Sequence, residues 1–374
     1  MPGLLPNVDP DGLLEYSVVY TDRSINHMSN TFQTVMNDIS STMRTVYNAE
    51  ATAIVPGSGT FGMEAVARQF ATNENVLVVR NGWFSYRWTQ IFETGSIPSS
   101  HTVCLAKQID SNPQAPFAPS AIDEVSETIR KQKPKVVFAP HVETSAGMII
   151  PDDYISTLAS VTHENGGILV LDCIASGAIW IDMQKTGVDV VISAPQKGWS
   201  GTPCCALIML GERAVSRLEK TKSSSFSCDL KKWREIMIAY ESGGHAYHAT
   251  MPTDGLRNFR DVMNETQSLG LSEMKEAQTH LGLKAREVLE AKGYASVAAP
   301  GFQAPGVIVS YTTDPDVKSG SKFATAGMQI AGGVPLQVGE PEGFSTFRIG
   351  LFGLDKLMNI DRTIETLEVT LSQI

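Results

Sequence analysis

Short apolar segments alternate with longer amphipathic ones through most of this 374-residue chain. The apolar segments are rich in Val, Ile, Leu and Ala, as buried β-strands are, and the amphipathic segments have the spacing of surface helices. Strands joined through helices pair in parallel, because a parallel pair needs a long crossover connection. The alternation therefore predicts an α/β fold with a mostly parallel central sheet. The predicted strands cover residues 51–55, 76–79, 103–105, 136–139, 168–171, 188–192 and 206–210, and the predicted helices include 28–47, 120–132 and 153–165.

The length of the chain predicts more than one domain, because a single hydrophobic core usually stops growing at roughly 250–300 residues. A Gly243-Gly244 pair interrupts the alternating pattern, and a long helical region follows it over residues 255–292. We predict an N-terminal arm (1–27), a large domain (28–254) and a smaller C-terminal α+β domain (255–374) that includes this linking helix. In the smaller domain the predicted strands are 307–311 and 346–349, and the predicted helices are 322–331 and 355–371.

Charge and hydrophobicity exclude several classes of partner. The formal charge is -10, and the chain lacks the clustered Lys and Arg residues that bind nucleic acid or anionic membranes. No segment contains the roughly 18 consecutive apolar residues that span a bilayer, and residues 1–7 lack the basic start and apolar core of a signal peptide. The five cysteines form no C-x-x-C pair, which is typical of reduced thiols. We therefore expect a cytoplasmic protein.

A lysine and a carboxylate both lie where predicted strands end. Asp172 closes the run that begins at Gly167, and Lys197 closes the run that begins at Asp189. In an open parallel sheet the carboxyl ends of the strands form one crevice, so the two side chains are expected to meet there. An amine can hold the aldehyde of pyridoxal phosphate as a Schiff base, and a carboxylate can keep the pyridine nitrogen of that cofactor protonated. The pair thus predicts pyridoxal phosphate chemistry.

A glycine-rich turn supplies a candidate phosphate site. Gly57-Ser-Gly-Thr-Phe-Gly62 follows the first predicted strand and opens a helix that runs through Gln69, so its backbone N–H groups can bind a phosphate. The same G-x-G-x-x-G spacing occurs in dinucleotide-binding folds. Such a fold expects an acidic residue after the next strand, where this chain has Arg80, which can bind the extra phosphate of NADP. From the turn alone, an NADP-dependent oxidoreductase stays an alternative.

Taken together, these segments resemble the class V aminotransferases of pyridoxal phosphate fold type I, in the alanine-glyoxylate and serine-pyruvate transaminase branch. The resemblance extends from about Met28 to Leu371. It rests on Gly57-Ser-Gly-Thr60, Asn81-Gly82, Leu171-Asp172, Ser193-Ala-Pro-Gln-Lys197, Tyr247-His-Ala-Thr250 and Phe347-Arg-Ile-Gly-Leu-Phe-Gly353. It implies a large domain with a mostly parallel sheet, a smaller C-terminal domain and pyridoxal 5′-phosphate as the cofactor.

The resemblance also implies a role for each matching residue. Lys197 would carry the cofactor as a Schiff base and move a proton during catalysis, and Asp172 would pair with the pyridine nitrogen. Other residues would hold the cofactor through its phosphate, its ring or its phenolic oxygen: Ser58, Gly59, Thr60 and Gln196 for the phosphate, Phe84 and Ile174 for the ring, and Thr144 for the oxygen or the substrate.

Three further matches concern the substrate and a second subunit. Arg348 would bind the α-carboxylate of the substrate through two parallel hydrogen bonds, although an arginine in an alternating strand often points to solvent. Tyr247 and Thr250 would reach the cofactor phosphate of a neighbouring subunit, which implies a homodimer with a shared active site. Local packing is the alternative explanation for Tyr247 and Thr250.

The chain departs from the family pattern at the N-terminal arm. Members usually begin with a Gly-Pro-Gly-Pro arm that crosses the active site, whereas this chain has the unrelated sequence 7–23. Tyr16, Tyr20 or Arg23 would have to reach the substrate in its place, and a structural role explains each of them equally. The segment 198–205 after the lysine also differs from the usual proline-rich continuation.

The sequence thus predicts an aminotransferase that moves an amino group from a small amino acid, such as alanine or serine, to glyoxylate or pyruvate. A lyase or cysteine desulfurase of the same fold is an alternative, as is the NADP-dependent oxidoreductase. No metal is expected, because His245 and His248 have no evident third ligand. Nucleic acid and membranes are not expected as partners.

Overall fold

The computed structural model describes residues 8–374. Residues 1–7, which bear on the prediction that the chain has no signal peptide, lie outside this range. Across residues 8–374, none of the helices combines the length and the apolar character that crossing a membrane requires.

Helices and strands alternate as the sequence predicts as far as Leu210. The elements of this part are α1 (Asn30–Tyr47), β1 (Ala51–Pro56), α2 (Gly59–Phe70), β2 (Asn75–Arg80), α3 (Trp83–Gly95), β3 (Ser100–Leu105), β4 (Lys107–Gln108), β5 (Phe117–Ala118), α4 (Ile122–Gln132), β6 (Val136–Pro140), β7 (Val142–Glu143), β8 (Met148–Ile149), α5 (Asp152–Glu164), β9 (Ile168–Asp172), α6 (Met183–Thr186), β10 (Val190–Ser193) and β11 (Cys205–Leu210). Helix α3 is the long element that the sequence analysis did not predict.

Within residues 8–374, seven strands form the central sheet in the order β1-β11-β10-β9-β6-β2-β3. The five strands from β10 to β3 pair in parallel. Only β11 runs the other way in this sheet, because it pairs antiparallel with both β10 and β1. The prediction of a mostly parallel α/β sheet is confirmed. Because β1 runs in the same direction as β9 and β10, the carboxyl ends of these three strands lie at one edge.

The middle of the sheet is covered on both faces. Every residue of β6 and β9 is buried, with no alternation between buried and exposed positions. Helix α5 packs on β9, and α3 packs on β2 and β6. Continuous burial of this kind is expected where helices cover both sides of a parallel sheet. It explains why these strands are recognisable in the sequence as uninterrupted apolar runs.

The remaining elements are α7 (Glu212–Leu218), α8 (Leu230–Glu241), α9 (Thr253–Ser268), α10 (Leu271–Ala291), β12 (Val307–Tyr311), α11 (Pro315–Ser319), α12 (Ser321–Thr325), β13 (Ala331–Gly332), β14 (Thr346–Gly350), α13 (Leu354–Met358) and α14 (Ile360–Leu371). The predicted helix over residues 322–331 is wrong beyond Thr325. Gly327 has a φ of +87°, and Ala331 pairs with Arg348 in a sheet of order β12-β14-β13. A left-handed glycine ends a helix because other residues avoid that conformation.

Two predicted helices are each interrupted once. The region 255–292 forms α9 and α10, which are separated at Gly270 with its φ of +89°. The region 355–371 forms α13 and α14, which meet at Asn359.

A second apolar core, distinct from that of the central sheet, contains Phe323 and Phe347. The division into an arm, a large domain and a small domain stays a prediction, and α9 packs its apolar face into the first core.

Candidate active site

One cavity of about 430 Å³ lies at the carboxyl edge of the sheet. Strands β1, β9 and β10 end beside it, and β14 of the C-terminal part forms another wall. The structure brings most of the predicted site residues together here. The lining includes Ser58, Gly59, Thr60, Phe84, Thr144, Asp172, Ile174, Gln196, Lys197 and Arg348. Tyr247 and Thr250 lie elsewhere.

The glycine-rich turn forms an anion cradle in this cavity. Helix α2 begins at Gly59, directly after β1 and the N-cap residue Ser58. The first-turn N–H groups of a helix have no intrahelical partners, and the helix dipole favours negative charge there. A side chain on Gly59 would collide with Ile174, so only glycine allows these segments to approach so closely. Gln196 joins the cradle by donating a hydrogen bond from Nε2 to Ser58 Oγ over 2.8 Å.

Asp172 is a buried carboxyl group at the end of β9. It is 7% exposed, and its Oδ1 accepts a hydrogen bond from the Ile174 N–H over 3.0 Å. The pKa of Asp172 is raised to about 7, chiefly by burial and to a smaller extent by the nearby Glu143, while the Ile174 N–H and Arg87 act in the opposite direction. A carboxylate in such surroundings is stabilised by a cationic N–H group that enters the cavity.

Lys197 follows β10 and places its Nζ 5.1 Å from the centroid of the Phe352 ring. Burial lowers the pKa of Lys197, and the positive charge of Arg348 lowers it further. A lowered pKa increases the fraction of neutral amine, which is the form that attacks a carbonyl group. The cavity therefore contains an amine whose neutral form is favoured by its surroundings.

Close packing fixes the loop that carries this lysine. A side chain at Gly198 would collide with the carbonyl oxygen of Gly177. The next residue, Trp199, is fully buried, and the centroid of its ring lies 4.4 Å from the centroid of the Trp180 ring. Ser200 then accepts a hydrogen bond from the Leu354 N–H over 2.9 Å. The unusual sequence after the lysine thus anchors the loop to both parts of the chain.

Glu143 positions the aromatic wall of the cavity. Its carboxylate is fully buried and accepts hydrogen bonds from the backbone N–H groups of Phe84 (3.1 Å) and Ser85 (2.9 Å), at the start of α3. It also accepts hydrogen bonds from the hydroxyl groups of Ser85 and Ser145. A carboxylate at a helix N-terminus is favoured by the helix dipole. This role of Glu143 could not be predicted from the sequence, because the contact joins residues far apart in the chain.

Arg348 faces the cavity. Its Nε donates a hydrogen bond to the Gly332 carbonyl oxygen over 2.9 Å, and its guanidinium carbon lies 5.7 Å from the Phe84 ring centroid. Burial lowers the pKa of Arg348, and Glu143 acts in the opposite direction. The alternative that this arginine points to solvent is wrong, because the side chain lines the same cavity as Lys197.

The profile described as aminotransferase class-V matches residues 12–313. The chain belongs to the class-V aminotransferase family. It is a pyridoxal phosphate-dependent aminotransferase of fold type I, as the sequence analysis predicted.

Individual relatives are similar over most of the chain. Alanine–glyoxylate aminotransferase of Rattus norvegicus is 26% identical over 370 residues, covering 93% of this chain and 82% of its own length. A 2-aminoethylphosphonate–pyruvate transaminase of Paraburkholderia phymatum is 28% identical over 339 residues, covering 89% and 84%. In fold, the chain is similar to alanine–glyoxylate aminotransferase from Nostoc sp. (TM-score 0.77, 20% identity, 92% and 88% covered) and to ureidoglycine–glyoxylate aminotransferase from Bacillus subtilis (TM-score 0.76, 21% identity, 91% and 85% covered).

The cavity of this class-V aminotransferase fits pyridoxal phosphate. It combines an anion cradle, a buried carboxyl group, a lysine of lowered pKa and an aromatic wall.

The dinucleotide alternative is wrong. The glycine turn follows β1, an edge strand that pairs antiparallel with β11, whereas a dinucleotide-binding turn follows a central parallel strand. Arg80 is also engaged within the protein, since it donates hydrogen bonds to Thr89 Oγ1 (2.7 Å) and to the Gln337 carbonyl oxygen (3.2 Å). Neither feature supports NADP binding.

Tyr247 and Thr250 lie at the surface, where Tyr247 is 55% exposed. Their hydroxyl oxygens are 3.0 Å apart and form a hydrogen bond. Neither residue lines the cavity of its own chain. Tyr20 of the N-terminal region is close to them, since its hydroxyl donates to the Met251 carbonyl oxygen over 3.1 Å.

The other candidates from the N-terminal arm, Tyr16 and Arg23, do not line the cavity. Tyr16 is 89% exposed, and Arg23 lies near Asp22 at the surface.

The two histidines considered as metal ligands have different neighbours. The His245 ring contacts His27, and His248 Nε2 lies 2.8 Å from the Phe226 carbonyl oxygen. Within the described part of the chain, no three His, Cys, Asp or Glu side chains come close enough to hold a metal ion.

Proposed function

We propose that this chain transfers an amino group from a small amino acid of the alanine or serine type to a small 2-oxo acid of the glyoxylate or pyruvate type. The observation that carries the proposal is the placement of Lys197, Asp172 and Arg348 around one cavity that also contains an anion cradle. The named activities of the relatives, which include alanine–glyoxylate and 2-aminoethylphosphonate–pyruvate transamination, support the same reaction class. We expect the reaction to take place in the cytoplasm.

When bound, pyridoxal phosphate supplies an electron sink conjugated to the substrate Cα. In our proposal Lys197 Nζ holds the cofactor aldehyde and then carries a proton from and to the substrate Cα. The Asp172 carboxylate pairs with the pyridine N–H and keeps it protonated. The remaining residues hold the cofactor in place: Ser58, Gly59, Thr60 and Gln196 at the phosphate, Phe84 and Ile174 against the ring, and Thr144 beside the phenolic oxygen or the substrate.

Arg348 is proposed to bind the α-carboxylate of both substrates. Replacing Arg348 with Lys should raise the KM for the amino acid by about 10- to 100-fold, because lysine cannot form two parallel hydrogen bonds with a carboxylate. The kcat should change much less, since the contact exists in the ground state and in the transition state. Steady-state kinetics with a saturating second substrate measures both values.

Arg362 offers a matched control on the same part of the chain. It is exposed and pairs with Asp355, so Arg362→Lys should leave the KM unchanged. An unchanged KM in Arg348→Lys would mean that the carboxylate binds elsewhere.

We further propose a homodimer in which Tyr247 and Thr250 complete the phosphate site of the partner subunit. Their exposure supports this arrangement, as do the exposed apolar side chains of Phe61 and Phe226. Exposed apolar side chains of this size commonly mark a surface that another protein covers.

Mixed dimers test the shared site. Lys197→Ala and Tyr247→Ala/Thr250→Ala subunits should each be nearly inactive, but a hybrid of the two contains one complete site. Random exchange of equal amounts should therefore restore about a quarter of the wild-type activity. If mixing restored no activity although the subunits exchange, Tyr247 and Thr250 would act within their own chain.

An activity panel of amino donors against 2-oxo acids tests the proposed substrates. The highest kcat/KM should be found for alanine or serine with glyoxylate or pyruvate, with formation of the matching 2-oxo acid. Release of sulfide or ammonia without an acceptor would instead support the lyase or desulfurase alternative. The structure gives the desulfurase no support, because that reaction needs an accessible reactive cysteine and each of the five cysteines is buried.

A further inference from the structure

The residues assigned to the cofactor phosphate are all neutral: Ser58, Gly59, Thr60 and Gln196. A phosphate monoester carries a charge of about -1.5 to -2 at neutral pH, whereas a helix N-terminus is equivalent to roughly +0.5. The cradle by itself therefore leaves much of the negative charge uncompensated. A cation next to the cradle would complete it.

Arg87 lies next to this cradle. It belongs to α3, three residues after Phe84, and its side chain lines the same cavity. Its Nη1 donates a hydrogen bond to Thr60 Oγ1 over 3.0 Å, and its guanidinium carbon lies 5.0 Å from the Phe84 ring centroid. A guanidinium group has five N–H donors, so a bond to Thr60 leaves others for a ligand.

The other cationic side chains that line the cavity contact groups outside the cradle. Arg348 is bound to the Gly332 carbonyl oxygen, and Lys197 lies against the Phe352 ring. Among the described cavity residues, Arg87 is the cation that contacts the cradle. Its positive charge also opposes the rise in the pKa of Asp172.

We propose that Arg87 binds the cofactor phosphate and supplies the positive charge that the neutral cradle lacks. This inference rests on the proposed cofactor site and adds a residue to it. Arginine suits the position because it can form two parallel hydrogen bonds with phosphate oxygens while it packs on an aromatic ring. The start of α3, held by Glu143, places Phe84 and Arg87 together.

Comparing two ligands isolates the phosphate contact. The apoprotein is titrated with pyridoxal 5′-phosphate and, separately, with pyridoxal, which has the same ring and aldehyde but no phosphate. In Arg87→Met the Kd for pyridoxal phosphate should rise at least about 10-fold, as expected for the loss of a charge-assisted hydrogen bond. The Kd for pyridoxal should stay within about twofold of the wild-type value. Inorganic phosphate should compete with pyridoxal phosphate more weakly in the variant than in the wild type.

Two further variants complete the test. Arg87→Lys keeps the charge and should recover part of the lost affinity for pyridoxal phosphate. Arg130→Met removes an exposed arginine of α4 and should bind both ligands as the wild type does. If Arg87→Met does not fold, as judged from its thermal unfolding, Arg87→Gln replaces it in the same titrations.

Several outcomes would overturn the inference. An unchanged Kd for pyridoxal phosphate would exclude a phosphate contact, and if the KM for the 2-oxo acid rose at the same time, Arg87 would belong to the substrate site. Equal weakening of both ligands would mean that Arg87 only maintains the shape of the cavity. If the wild-type protein itself binds no pyridoxal phosphate, the proposed function fails. If the wild type binds it and Arg87→Met binds it equally well, this inference fails and the proposed function stands.

Discussion

Replacing Lys197 with Ala should reduce turnover by at least about 10⁴-fold, because the variant loses both the covalent attachment of the cofactor and the proton carrier. No other lysine lines the cavity among residues 8–374, so none can take over either role. The change should leave the fold intact, since Trp199 and Ser200 anchor the loop independently of the lysine side chain.

Turnover with the best donor and acceptor pair measures this effect, and the visible absorbance of the covalently bound cofactor should disappear with it. Lys185→Ala is the matched control, because that lysine is exposed and pairs only loosely with Asp152. Activity of Lys197→Ala within about tenfold of the wild type would refute the role assigned to this residue.

Replacing Asp172 with Asn should lower kcat by about 10²- to 10³-fold, which is typical for the loss of one preorganised electrostatic partner. Asparagine has nearly the same shape but carries no negative charge, so the pyridine nitrogen would no longer be held protonated. The KM values should change less than kcat, since neither substrate contacts this carboxylate in our proposal. Asp361→Asn, an exposed substitution on α14, should behave as the wild type does.

The same substitution should alter the pH dependence of stability of the apoprotein. Burial raises the pKa of Asp172 from 3.8 to about 7, so the folded state binds more protons than the unfolded state between these values. This group therefore stabilises the apoprotein at low pH and loses that contribution as the pH rises through about 7. Urea unfolding at several pH values should show this loss in the wild type and a smaller one in Asp172→Asn. Parallel curves for the two proteins would contradict the raised pKa.

Much of the fold and most of the cavity could be predicted from the sequence, for a physical reason. The middle strands are buried on both faces, so they appear as uninterrupted apolar runs. Because parallel strands end at one edge, residues that follow β9 and β10 must be neighbours there. Asp172 and Lys197 were therefore predictable as a pair before any contact between their segments was known.

Other features could not be predicted, because they depend on contacts between distant segments. Helix α3 begins with aromatic residues that suit strands as well as helices, and Glu143 fixes its start from 58 residues further along the chain. The contact between Arg87 and Thr60 has the same long-range origin. Gly270 and Gly327, which have left-handed backbone conformations, interrupt sequence patterns that predict a continuous helix.

Borohydride reduction of the cofactor-loaded protein, followed by peptide mass spectrometry, tests the central claim most directly. Reduction makes the bond between the aldehyde carbon and the amine permanent, so the modified side chain can be identified. We expect the cofactor on the peptide that contains Lys197, in wild-type protein and not in Lys197→Ala. Attachment to another side chain of the wild-type protein, or no attachment after reconstitution, would contradict the account.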